Sequence, residues 1–105
     1  MHVVLNKFVL NPEKIAAFEA LWRERWKLLD GNPGFLQFRL LKTANDDPTQ
    51  IRYTTVSEWR SREDFEAWLR SDSFRKAHQN MPKLTDLYME PPTMERLDSV
   101  DLDAR

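Results

Sequence analysis

The chain has 105 residues, 41% hydrophobic and 31% charged, and 16 basic against 17 acidic side chains leave a net charge of −1. That is the size and balance of one folded domain rather than a disordered segment. It offers no basic stripe for phosphate backbones, so no nucleic-acid partner is expected, and the absence of cysteine excludes disulfides, zinc-thiolate sites and thiol nucleophiles.

The opening MHVVLNKF enters a strand pattern directly, without the basic and apolar regions of a signal peptide. No stretch approaches the roughly 20 apolar residues of a membrane span. A soluble cytoplasmic protein with no membrane partner is therefore expected. Val3 to Leu10 reads as a strand, with Val4, Asn6, Phe8 and Leu10 on one face and Val3, Leu5, Lys7 and Val9 on the other. Asn11-Pro12 then opens a helix, Asn11 as N-cap and Pro12 at the first helical position. Ile15, Phe18, Leu21, Trp22, Leu28 and Leu29 carry its apolar stripe. Gly31 is placed to end it, and Pro33-Gly34 completes the break.

Phe35 to Lys42 is a second strand, with Leu36, Phe38 and Leu40 expected on one face. The polar run Ala44 to Thr49, with Asn45, Asp46, Asp47 and Pro48, turns the chain into a third strand, Ile51 to Trp59. Ser61 and Asp64 have the spacing of a capping box for a helix whose apolar side holds Phe65, Trp68 and Leu69. Ser71-Asp72-Ser73 interrupts that helix and caps a short third one with Phe74, Ala77, His78 and Met81, which Pro82 ends. Asp86 to Met89 fits no element clearly. Pro91-Pro92 excludes a central strand there, and Thr93 to Val100 is the last strand. The order β-α-β-β-α-β gives an α+β fold with a ferredoxin-like unit. Residues 1–100 form a single domain and residues 101–105 a frayed tail.

Few residues carry chemistry. Six Phe and four Trp suit a compact core, a dimer interface or a flat apolar ligand. Asn6 is a polar residue on an apolar face. A buried amide without partners costs about 1–3 kcal/mol, so it is satisfied by a neighbouring element or aimed at a ligand. Trp68, three residues after Phe65, suits the core as well as a ligand wall. His78 sits on a short helix, where an imidazole is commonly just a surface group. Its neighbours Phe74, Ala77 and Met81 give it apolar surroundings, and the helix breaks on either side leave room for a cavity mouth. His2, the other histidine, lies beside the chain end, where fraying is expected. There is no glycine-rich phosphate loop and no HExxH, and Asp46-Asp47 reads as a turn.

Asn6, Trp68 and His78, together with NPGFLQFRLL, SEWRSREDFEAWLRS and FRKAH, resemble the IsdG-type haem-degrading monooxygenases of the antibiotic-biosynthesis monooxygenase superfamily. The likeness runs from about Val3 to Val100. Its PGF and EW-S-EDFxAW pieces belong to the wider superfamily and speak to fold. The triplet Asn6, Trp68 and His78 speaks to substrate. The resemblance implies that His78 binds haem iron, that Trp68 presses on the porphyrin and favours its ruffling, and that Asn6 hydrogen-bonds the iron-bound oxygen ligand. By position in the sequence, Phe65 and Phe74 would complete the haem site, and Lys76 and Arg75, which are otherwise ordinary solvated cations, would meet the propionates. The implied reaction opens the porphyrin with dioxygen and external electrons, releasing iron and a linear tetrapyrrole. Haem is then both substrate and oxygen-activating cofactor. With no flavin or nicotinamide motif in the chain, a separate reductase or small reductant is the implied electron donor. The resemblance also implies a homodimer built as a dimeric α+β barrel, which a partly apolar open sheet face of Val3, Leu5 and Val9 permits. Two other readings remain: a cofactor-independent monooxygenase of the same fold acting on a quinol-like aromatic, and a non-catalytic haem-binding or storage protein.

Overall fold

A computed structural model of the chain describes residues 1–44, 47–78 and 87–103. Its elements are strand β1 (His2–Leu10), helix α1 (Ile15–Arg25), strands β2 (Phe35–Lys42) and β3 (Ile51–Trp59), helices α2 (Arg62–Leu69) and α3 (Asp72–His78), and strand β4 (Thr93–Asp98). They form one antiparallel sheet in the order β2-β3-β1-β4. This is the ferredoxin-like α+β arrangement that the pattern predicts. Among the described residues, no helix is long and apolar enough to cross a membrane.

Several local expectations change. Asn11 makes no side-chain cap, and Pro12–Lys14 forms a tight 3₁₀ turn before α1. At the other end, Trp26–Leu28 tightens again into 3₁₀ geometry. Asn32 then donates to the carbonyls of Leu28 (2.7 Å) and Leu29 (2.8 Å), while Gly31 turns the chain at φ 85°. Strand β2 carries a bulge: Phe35 pairs with Trp59, but Gln37 pairs with Glu58. The extra residue, Leu36, is pushed out and is exposed, and Phe35 takes its place against Trp59. Ser61 does cap α2, accepting from the Asp64 backbone N–H at 3.1 Å. Strand β4 ends at Asp98, and all six of its residues are exposed. The expected terminator Pro82, with Met81, lies outside the described residues, as do Asn45, Asp46, Asp86 and the last two residues of the tail.

The sheet's helix-facing side holds two separate cores. Val4, Leu29, Trp59 and Phe65 form one, joined by Phe35, Phe38, Trp68 and Leu69. Phe8, Leu10, Phe18 and Tyr53 form the other, joined by Trp22, Leu40 and Tyr88. Strand β1 feeds both, with Val4 in the first and Phe8 in the second. Asn6 sits between them, beside Thr55 of β3 and Met94 of β4 in the same row across the sheet. The start of β1 and the residue after β4 are joined: the Met1 amine donates to Ser99 Oγ, and the Ser99 N–H donates to the Met1 carbonyl, each at 2.9 Å.

Candidate active site

A cavity with about 830 Å³ of empty space, part of it open to solvent, occupies the gap between the two cores. The floor is the sheet row at and around Asn6: Val4, Phe8, Thr55, Ser57 and Met94. Helix α1 contributes Trp22 and Arg25, α2 contributes Phe65, Trp68 and Leu69, and α3 contributes Phe74, Ala77 and His78. Tyr88 and Pro92 close another side. Asn6, far from the other two in sequence, thus shares one cavity wall with Trp68 and His78, and Phe65 and Phe74 share it too. Arg75 does not. It is 73% exposed and ion-paired with Asp72 one turn earlier on α3. The cation that does line the cavity is Arg25, which faces inward because it falls one turn after Trp22 on α1.

The His78 ring is held closely. Its Nδ1 lies 2.8 Å from the Phe74 carbonyl, an acceptor, so Nδ1 carries the proton and Nε2 is left with the lone pair. The ring also packs on Phe74 with centroids 4.0 Å apart. Burial pushes its pKa below 6.5, the Phe74 hydrogen bond opposes that, and the Arg25 charge adds to it. At neutral pH the ring is therefore an oriented, uncharged base.

Trp68 belongs to the core and to the cavity at once. It packs on Trp59 at 5.6 Å and stands edge-on to Phe74 at 5.0 Å. Its Nε1 is buried and has no hydrogen-bond partner among the described residues. The same holds for Trp22 Nε1, Arg25 Nε and the Tyr88 hydroxyl. All four are donors, and all four residues line this cavity. Among the described residues no group of three or more His, Cys, Asp or Glu side chains gathers around a point.

His2 behaves differently from the frayed residue expected. It is 1% exposed inside β1. Its Nδ1 is 2.7 Å from Asp98 Oδ1, and its Nε2 accepts from Arg96 Nε at 3.1 Å. Pairing of β1 with β4 brings these partners alongside. Both ring nitrogens are used structurally.

The model of the family described as antibiotic biosynthesis monooxygenase matches residues 1–80. The chain belongs to this family. A "Heme-degrading monooxygenase" of Listeria welshimeri is 37% identical over 86 residues, covering 74% of this chain and 69% of that protein. A "Heme oxygenase (staphylobilin-producing)" of Staphylococcus haemolyticus is 38% identical over 50 residues, which span 48% of this chain and 47% of that one. The chain thus matches about half the length of the staphylococcal relative. Among solved structures, SnoaB, a cofactor-independent oxygenase from Streptomyces nogalater, superposes with a TM-score of 0.72 at 18% identity, covering 99% of this chain and 97% of that one. At that identity the likeness is one of fold. Within the family's fold, the donor set here fits a haem: one neutral imidazole with Nε2 uncommitted to Phe74, flat aromatic walls, and buried donors without acceptors.

Proposed function

We propose that this protein is a haem-degrading monooxygenase, with haem as its substrate and His78 Nε2 as the ligand to the iron. The observation that carries the reading is the His78 ring, fixed as the Nδ1–H tautomer by the Phe74 carbonyl and kept neutral by burial. Metal-bound histidines usually have their second nitrogen committed in this way. Bound haem supplies the redox chemistry with dioxygen and external electrons from a reductase or small reductant. The chain holds and shapes it. Trp68 and Phe74, on the helix side of the cavity, would hold the flat ring, and the Asn6 carboxamide, on its sheet floor, would supply a hydrogen bond to the oxygen. The apolar walls limit water around the reacting atoms. Ring opening would release iron and a linear tetrapyrrole. The names of the staphylococcal and listerial relatives favour the same substrate.

The test is the absorption spectrum of purified protein mixed with haem, before and after ascorbate in air. The expected result is a ligated spectrum whose main band decays with release of chelatable iron. A ligated spectrum that persists would reduce the reading to haem binding or storage. No ligated spectrum at all would favour a cofactor-independent oxygenase. Trp68→Ala and Asn6→Ala, checked first for folding, are expected to bind haem but to degrade it at least about tenfold more slowly. Wild-type decay in both would leave these residues as core.

A further inference from the structure

Arg25 is the one cation among the described residues that line the cavity, and none of those residues is acidic. Its Nε is buried without a partner among the described residues, and its guanidinium carbon stacks 4.8 Å from the Trp22 ring centre. Burial lowers its pKa, yet a guanidinium remains charged at any ordinary pH. On the same cavity, the Tyr88 hydroxyl is a second buried donor without a partner among the described residues. The two are near enough for the Arg25 charge to pull the Tyr88 hydroxyl pKa down against the upward push of burial. The net direction is upward, so the phenol keeps its proton and donates. Tyr88 is not a loose residue. It bridges to Leu10, the next residue's N–H bonds the Val9 carbonyl at 2.8 Å, and its ring lies 5.2 Å from Phe8.

A half-buried guanidinium whose Nε is buried, and a buried hydroxyl on the same cavity, neither with an acceptor among the described residues, describe a place for an anion with at least two oxygens. The apolar surroundings describe its body. We propose that Tyr88 and Arg25 together recognise a carboxylate on the cavity's ligand, so that this site selects flat apolar acids over their neutral counterparts. Haem carries two carboxylates, so the proposal deepens the reading above, though it can be judged separately. It assigns to Tyr88 a specificity role that no motif in the sequence signals, and it moves the acid-binding cation from Arg75 to Arg25.

The experiment compares acids with their esters. Quenching of the protein's tryptophan fluorescence reports binding of protoporphyrin IX and of its dimethyl ester, both iron-free, so that ligation by His78 plays no part. Wild-type protein is expected to favour the diacid by about tenfold or more. Tyr88→Phe keeps the ring on Phe8 and removes only the hydroxyl. It should lose most of that preference while binding the ester as wild type does. Arg25→Met should lose the preference entirely, and it serves if Tyr88→Phe fails to fold. Equal binding of acid and ester by wild type, or an undiminished preference in Tyr88→Phe, overturns the proposal. If no porphyrin binds, the haem reading falls instead, and 9-anthracenecarboxylate against its methyl ester repeats the comparison. An acid preference lost in Tyr88→Phe would then uphold the carboxylate site alone, and no preference would sink it as well.

Discussion

The two histidines have opposite fates that their positions in sequence only half reveal. His78 has one nitrogen bonded to Phe74 and the other uncommitted to it, whereas His2 has both nitrogens occupied by Asp98 and Arg96. His78→Ala is expected to abolish the ligated haem spectrum and leave the fold intact. His2→Ala is expected to keep that spectrum and lower stability by about 1–3 kcal/mol, since it empties a buried, bonded site. Haem titrations and urea melts of the two variants check this, and the reverse pattern would refute the assignment. The depressed His78 pKa also has a sign. Above pH 6.5 the ring is neutral in folded and unfolded chains alike. As pH falls below 6.5, the unfolded chain takes up the proton first, so stability drops until the folded ring protonates as well. Haem affinity should accordingly stay flat from about pH 8 to below the ordinary histidine pKa and then fall. A titration midpoint at or above 6.5 would contradict the burial argument. Asn6 was legible as an anomaly because a polar residue broke an apolar alternation. Arg25 and Tyr88 were not, because an arginine on a helix and a tyrosine in a proline-rich return segment look ordinary until the fold turns them inward.

At the level of elements, periodicity located every strand and helix to within a few residues, and the errors came from geometry that periodicity ignores. The bulge at Leu36 shifts the alternation by one residue, which no count of apolar positions detects. The 3₁₀ turns at both ends of α1 arise where a missing cap or a tight exit shortens the last hydrogen bonds. Two glycines separate local strain from packing. Gly31 and Gly34 have φ of 85° and 81°, but only at Gly34 would a Cβ collide, 2.3 Å from Asp64 Oδ2. Gly31→Ala should cost about 1–2 kcal/mol from backbone strain. Gly34→Ala should cost clearly more, because Asp64 is held there by its own bonds to Ser61 and Arg60. Ser61→Ala, which removes the cap alone, should cost about 1 kcal/mol. Thermal melts of the three variants should rank Gly34→Ala as the most destabilised, and any other order would mean that Asp64 moves aside freely.

At the scale of the whole molecule, one face of the sheet has no helix against it among the described residues. Leu41 and Leu97 are 48% and 42% exposed there, flanked by the Lys7–Glu95 and Arg39–Glu58 pairs. Val3 and Leu5 are half-buried between them, whereas Val9, expected to be open, is covered. We expect this face to pair with a second copy, apolar centre inside and charged rim outside. Sedimentation at micromolar concentration should give a dimer that Leu97→Asp dissociates, and a single-chain species in the wild type would refute it. The sequence permitted this pairing without demanding it, since alternation marks a face as apolar but not what lies against it. Residue 1 and residue 99, finally, are hydrogen-bonded neighbours. The start of β1 and the end of β4 are thus tied side by side, so little added chain is needed to run one into the other. A circular permutant with its ends moved to the exposed Asp47–Thr49 turn, and its old ends joined by a short glycine linker, should keep the same sheet and the same cavity.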